Sequence, residues 1–542
     1  MAKHCWEIPL GKRTRLYRFL EILPGALSYF IVILLFVLSW VSPVLATIYL
    51  LTIIAVTLVK AVATAYRTIQ GYKVLQRAVK VNWANRLADL AHPHEAFEKL
   101  RDEHYDSYNF DEHLANVKKL AAAPVGKYPN PEKIYHAVIM TAYNEGIETL
   151  GPSVEAVLAS TFPKERIIFT LAYEERGGEA MEKVAKELEK RFAGKFYAFL
   201  LVKHPENLKG EIVGKGPNLT NAGYAVSEFV AKKHIDHENV IVTSLDSDNR
   251  MDKSYLDYVA YEFVVHEERQ HLSYQPIALF TNNIWDAAAP MRVIATTNSF
   301  FNVVTTMRPH ALRNFASHSQ PLAALEEMDF WSKRTIVEDG HQYWRSLFHF
   351  QGDYDVVPIR VPIHQDAVMD ETLWGTLKAQ FVQLRRWDYG ASDVAYVGSY
   401  LFGGECKVPF WVLFPKFVRL LDGHVTLAVM SPIIAFGGWV PTIINITSRQ
   451  SMFHNLPGTI STVQLIACIG LMVTILTSIK LLPPRPARYK KSRNFLMLLQ
   501  WILSPIIALV YTSAAAFYSQ TRLMTGNYME KFDVTKKVVK SE

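Results

Sequence analysis

The sequence predicts an α/β domain with a mostly parallel, doubly wound sheet, inserted between α-helical membrane-spanning segments. Three observations carry that reading. Apolar residues pile up at the two ends of the 542-residue chain, strands alternate with helices in its middle, and polar clusters fall where those strands end. The chain is 50% hydrophobic and 20% charged, with a formal net charge of +7. Its length suits a large domain plus further modules.

Residues 23–59 are almost free of charge for long enough to cross a bilayer twice, with Ser42 and Pro43 as the turn. One span needs roughly 20 apolar residues. The stretch is too long for a cleavable signal peptide, and no small-residue cleavage site follows it. Residues 420–445, 462–479 and 495–518 are three more candidate spans. Any one of these also fits a buried core helix; five together indicate an integral, multi-pass membrane protein.

Lys3, Lys12, Arg13, Arg15 and Arg18 place residues 1–23 in the cytosol, and the basic loop 483–493 should lie there too. Two spans within 24–66 then leave residues 67–405 as a cytosolic domain, at the plasma membrane if the host is bacterial. The segment "VPFWVLFPKFVRLL" reads as an interfacial amphipathic helix (406–419), followed by about three membrane segments in 420–520. The tail, 521–542, is in conflict. A fifth full span leaves it outside, whereas Lys531, Lys536, Lys537 and Lys540 argue for inside, and Pro505 marks a possible break or re-entrant turn. Cys5, Cys406 and Cys468 are far apart, so neither a disulfide framework nor a metal-ligand spacing is implied. The basic residues gather at the membrane boundary, where they are no signal for nucleic acid. Oligomeric state is not legible.

After a charge-rich helical connector (67–123), four stretches read as strands: "HAVIMTAYNE", "RIIFTLAYEER", "FYAFLLVKH" and "NVIVTSLDSD". Met181, Val184, Ala185, Leu188 and Phe192 share one face of an intervening helix, and another helix runs from near Asn218 to about Lys233. Strands alternating with helices imply a parallel sheet, whose ligands bind beyond the carboxyl ends of its strands. "YNE", "EER" and "DSD" all lie at such ends.

Asp246 and Asp248 repel each other unless a cation lies between them; oxygen ligands suit Mg²⁺ or Mn²⁺, which commonly bridges a diphosphate. An aspartate turn capping its own backbone is the alternative. In "GKGPNLTNAG", the glycines let backbone approach a ligand and Lys215 can neutralise a phosphate, although the spacing is not that of a P-loop. Alternatively, Asn218 or Thr220 simply caps a helix. In "VEDGHQYW", Glu338 and Asp339 are either helix caps or carry a general base for an attacking hydroxyl. In "QLRRW", Gln383, Arg386 and Trp387 share one helical face; arginine matches a diphosphate and indole offers an apolar face to a sugar. A basic helix lying on the membrane is the alternative there.

Taken together and in order, "TAYNE", "AYEER", "GKGPNLTN", "DSD", "VED" and "QLRRW" resemble the membrane-embedded family 2 glycosyltransferases, the group of cellulose and hyaluronan synthases with a GT-A catalytic domain. The resemblance covers about residues 135–390 and the flanking spans. It implies that Tyr143, Asn144, Glu145 and Glu174 line a nucleotide pocket, with Lys215 and Asn218 nearby. It implies that Asp246 and Asp248 hold the metal, that Asp339 is the base with Glu338 beside it, and that Gln383, Arg386 and Trp387 place the diphosphate and acceptor. The donor implied is a nucleoside-diphosphate sugar, expected to be a UDP-sugar, and the chemistry is a single inverting displacement. The acceptor would be a growing glycan passed through the chain's own spans, or a polyprenyl-phosphate lipid receiving one sugar; a non-catalytic membrane scaffold is the third possibility. Two departures stand out. Glu174 and Glu175 replace the usual aspartate, and Ser317, His318 and Ser319 stand where processive synthases carry a glycine-containing acceptor motif. His318 either touches a hydroxyl or phosphate or is an ordinary structural histidine.

Overall fold

A computed structural model describes residues 7–103, 106–404, 406–445, 458, 461–462, 472 and 475–532. Eight strands form one mixed, mostly parallel sheet of Rossmann-like character: β1 (Tyr135–Ala142), β2 (Ile167–Glu174), β3 (Ala198–His204), β4 (Val240–Asp246), β5 (Arg250–Met251), β6 (Leu272–Leu279), β7 (Ser319–Pro321) and β8 (Asp355–His364). Their order is β3-β2-β1-β4-β7-β6-β8-β5. The four strands expected from sequence are the first four in that order, and all run parallel. β7 is antiparallel to both β4 and β6, while β8 runs parallel to β6 and antiparallel to β5.

Alternation along β1 explains the layers. Val138 and Met140 pack into one core with Val154, Val157, Leu188 and Phe192. Ala137 and Ile139 pack into the opposite one with Leu219, Ala222, Val226 and Val230. Both faces of the sheet are therefore covered, which is why its parallel strands read as unbroken apolar runs. The helix Gly178–Phe192 buries Met181, Ala185, Leu188 and Phe192, the face its spacing predicts.

Four helices are long and apolar enough to cross a membrane: Arg15–Val41, Pro43–Ala78, Phe410–Phe436 and Ser492–Thr525. They expose Phe30, Ile33, Trp40, Val59, Ile502 and Ile506, an outward apolar surface of the kind lipid covers. Three boundaries differ from expectation. The second helix continues to Ala78 instead of stopping near residue 66. The segment expected as a separate interfacial helix, 406–419, and the span after it are one helix from Phe410 to Phe436. The helix runs unbroken through Asp422, Gly423 and His424, and Pro415 lies inside without ending it. Pro505 does not reverse the chain either. It is the second residue of a short α-helical turn, Ser504–Ile507, after the 3₁₀ turn Gln500–Leu503, and a π-turn follows at Ala508–Ser513, so the irregularity is absorbed by rewinding. The candidate span 462–479 falls largely outside the described residues, as do Lys3, Cys5, Cys468, Lys536, Lys537 and Lys540.

Candidate active site

Register sets the carboxyl ends of the first four strands level: Ala142 pairs with Tyr173, Thr141 with Asp246 and Glu174 with His204. One cation dominates the edge so formed. Lys215 is the first residue of the helix Lys215–Lys232, three residues earlier than the sequence suggests. Pro217 can be part of the first turn because its missing N–H would bond to nothing there. Gly216 is required by space: a Cβ at that position would collide with the carbonyl oxygen of Ser332 and press on Glu338.

The Lys215 ammonium lies 2.7 Å from Asp246 Oδ1, 2.9 Å from Asp339 Oδ2 and 3.7 Å from Glu338 Oε1. Burial opposes its charge, but Asp246, Asp339 and Glu338 outweigh that and hold it above the ordinary lysine value. Glu338 and Asp339 open the helix Glu338–His349, where the helix dipole favours negative charge; the cap position itself is Val337. Neither acid is therefore the cap. Glu338 is 3% exposed, and its Oε2 has no hydrogen-bond partner among the described residues. Burial first, and the charge of Asp339 second, push its carboxyl up to about 8. Between the unfolded value of 4.5 and that point, the folded chain holds a proton which the unfolded chain releases. Stability should therefore fall as pH rises through this window. Thermal unfolding followed from pH 5 to 8.5 is expected to show that loss in the wild type and a flatter profile in Glu338→Gln.

Asp248 is buried, with Oδ2 accepting the Asp366 amide at 2.9 Å and its carbonyl accepting from Asn282 Nδ2 at 3.0 Å. The middle residue of that turn, Ser247, donates to Glu145 Oε1 at 3.2 Å. Glu145 Oε2 in turn accepts the amides of Tyr143 and Asn144 at 2.7 and 3.1 Å, so it orders the loop after β1 and ties it to the acidic turn. Asp246 and Asp248 offer oxygen donors of the kind that hold Mg²⁺ or Mn²⁺, and Asp246 is the more open of the two.

At the ends of β2 and β3, Glu174 Oε2 is 3.1 Å from Arg176 Nε and 3.2 Å from His204 Nδ1, and His204 Nε2 is 3.2 Å from Glu211. Burial disfavours the imidazolium, yet Glu174 and Glu211 together raise it above its ordinary value. The Arg176 guanidinium lies 4.4 Å above the ring of Tyr143. A carboxylate, a guanidinium and a tyrosine ring are thereby gathered beside the acidic turn.

His318 leads into β7. Its Nδ1–H donates to the Phe315 carbonyl at 2.9 Å, and its buried Nε2 has no partner among the described residues. Burial disfavours its imidazolium form and lowers its pKa against the pull of Asp339. Ser317 beside it adopts φ +61°, a left-handed conformation that glycine occupies without strain, and its hydroxyl accepts from Asn249 Nδ2.

Arg386 reaches the site as well: its charge acts on Glu338, and its guanidinium lies 3.8 Å over the ring of Phe532. The chain near Phe532 crosses the loop before Lys215, with Lys531 bridging to Val213 and the Phe532 amide donating to the Val213 carbonyl at 2.8 Å.

Four residues singled out from sequence make other contacts. Asn218 is buried and donates to the Ala172 carbonyl at 3.0 Å, and Thr220 bonds the backbone of Trp331; neither caps the helix, whose start is at Lys215. Gln383 is buried and accepts from Gln380 at 3.0 Å, and the Trp387 ring packs 6.1 Å from that of Phe280. Arg176, His204, Glu211, Ser247 and Phe532 were not singled out from sequence. The rule that strands end at the ligand would have found His204, the last residue of β3.

Neither a family model nor a curated protein matches the chain. Among solved structures it is similar to the mannosyltransferase PcManGT from Pyrobaculum calidifontis in complex with GDP-Man and Mn²⁺, at 12% identity over 86% of this chain and 100% of that one, with a TM-score of 0.39. It is also similar to residues 1–349 of S. aureus TarS in complex with UDP-GlcNAc, at 12% identity over 72% of this chain and 92% of that one, with a TM-score of 0.35. At that distance, the chemistry of this chain rests on its own side chains.

Proposed function

We propose that this chain is a metal-dependent, inverting glycosyltransferase with a GT-A-like domain on the cytosolic side of a membrane. In this reading it uses a nucleoside-diphosphate sugar to extend a polysaccharide. The observation that carries the reading is the convergence of Asp246, Glu338 and Asp339 on Lys215 at the carboxyl edge of the parallel sheet. Such a group contains what displacement at an anomeric carbon needs, a base for the incoming hydroxyl and counter-charge for the outgoing diphosphate.

In this reading Asp246 and Asp248 hold the divalent cation, which when bound neutralises charge on the leaving diphosphate. Asp339 accepts the proton of the acceptor hydroxyl. Glu338, kept protonated by its surroundings, spares Asp339 a second negative neighbour. Lys215 keeps the carboxylates within reach of one another and Arg386 adds positive charge beside them. His318 Nε2 accepts from an acceptor hydroxyl. Tyr143, Glu174 and Arg176 are placed to receive the nucleobase.

The test is release of nucleoside diphosphate by the full chain in lipid nanodiscs, with UDP- and GDP-sugars and Mg²⁺ or Mn²⁺. Asp246→Asn is expected to lose metal-dependent release. Long products support polymer extension, and a single added sugar on a lipid would replace it with single transfer. Metal-independent release, or release unaltered by Asp246→Asn, would overturn the assignment of the acidic turn.

A further inference from the structure

The helices Pro43–Ala78 and Phe410–Phe436 run antiparallel and are pinned together by Lys60 and Asp422, 3.1 Å apart. From that pair toward the catalytic domain, the next charges are Arg67 on one helix and Arg419 and Lys416 on the other. At 1.5 Å per residue, Arg67 and Lys416 lie at a similar depth, roughly 10 Å below the pair. A third element joins them. Gly71 allows close approach of the helix Ala289–Thr306, with Met307 Cγ 3.2 Å from where its Cβ would be, and this brings Arg308 and His310 alongside. Lys416 is oriented by donating to the Tyr343 hydroxyl at 2.8 Å.

Among the described residues, no salt bridge engages Arg67, Arg308, Lys416 or Arg419. Asp422, three residues from Arg419, is paired with Lys60, and Asp393 is paired with His341 at 2.7 Å. Partial burial, and then the crowd of like charges, hold Arg308 and His310 below their ordinary values. Depth along the helix is marked independently. Trp439 and Trp40 are exposed at one end of the bundle and Trp411 at the other, as in an aromatic belt. From Arg419 to the end of its helix at Phe436 is about 25 Å, most of the thickness of a hydrocarbon core.

We propose that Arg67, Arg308, His310, Lys416 and Arg419 form a binding site for the phosphate headgroup of an anionic phospholipid in the leaflet that faces the catalytic domain. The site rests on the membrane-spanning reading of the four helices. Through Lys416 and Tyr343, its occupant leans on the helix that begins with Glu338 and Asp339.

The experiment places the full chain in phosphatidylcholine nanodiscs with spin-labelled phosphatidylglycerol or phosphatidylcholine and measures which lipid is held at the protein. The wild type is expected to prefer the anionic label about tenfold. Arg308→Gln and Arg419→Gln should each reduce that by about fivefold, the usual contribution of one basic residue near a charged bilayer. Arg308→Lys should retain it, and so should Lys490→Gln in the separate basic loop. Arg419 is exposed, so its substitution tests the site without endangering the fold. Absence of preference, or equal loss in Lys490→Gln, overturns the proposal. Loss of preference on adding excess inorganic phosphate also overturns it, because the site would then take a soluble anion. Release of the chain from membranes by alkaline carbonate would instead refute the membrane-spanning reading itself.

Discussion

Asp339→Asn is expected to lower turnover by about three orders of magnitude, within the range that general bases contribute, with little change in KM for the donor. The replacement is nearly isosteric, and its amide oxygen can still accept from Lys215, so the cluster keeps its shape while the proton acceptor is lost. Glu338→Gln serves as the contrast. Its carboxyl is already held protonated near neutral pH, so an amide changes its charge little and most activity should survive. Steady-state kinetics on the two variants separate the roles. An Asp339→Asn enzyme retaining more than about a tenth of wild-type turnover would move the base elsewhere.

Lys215→Met should be the most destabilising single change at the site. Lys215 is 9% exposed and lies among Asp246, Asp339 and the protonated Glu338; methionine fills much of the space but leaves Asp246 and Asp339 to repel each other in a poorly hydrated place. Removing one member of a buried ionic group typically costs roughly 3–5 kcal/mol, and the partial exposure of Asp246 points to the lower end. Thermal unfolding in chelator should show the loss. Added Mn²⁺ should restore part of it in the variant, because a divalent ion supplies positive charge to the same oxygens. Equal melting of wild type and variant in chelator would mean that Lys215 is not the counter-ion that holds this edge together.

The half of the sheet that was legible in the sequence is the half buried on both faces. β1 to β4 are short, mostly apolar runs, each followed or ended by polar residues and alternating with helical patterns, which together read as parallel strands. The other half hides its strands. β7 has three residues, too few for any period, and β6 and β8 carry Pro276, Pro358 and Pro362, which argue against strand by the usual rule. β6 accommodates its proline with a register shift between Pro276 and Ile277. The acids of the site were legible because each lies just past a strand or at a helix start. Lys215 was expected to neutralise a phosphate, but its ties to Asp246, 31 positions on, and to Glu338 and Asp339, more than a hundred positions on, depend on the tertiary fold. Asn218 shows the converse error: a polar residue near a helix start reads as a cap until Pro217 is seen to belong to the helix. The pairing of His204 with Glu174 needed the register of β2 on β3, which no local pattern contains.

The stretch from Tyr528 to Phe532 joins distant parts of the chain. The Tyr528 hydroxyl donates to Glu21 Oε2 at 2.8 Å, the Met529 amide to the Tyr389 hydroxyl at 3.1 Å, and the Phe532 amide to Val213. During synthesis, the ring beneath Arg386 thus arrives only after every strand has been made and both pairs of membrane-length helices have left the ribosome. The edge around Lys215 gains this cover last, by a closure between the first helix and the final described residues. Truncation after Thr525, which leaves all four apolar helices intact, should therefore yield a protein that inserts normally and cannot organise the proposed donor site.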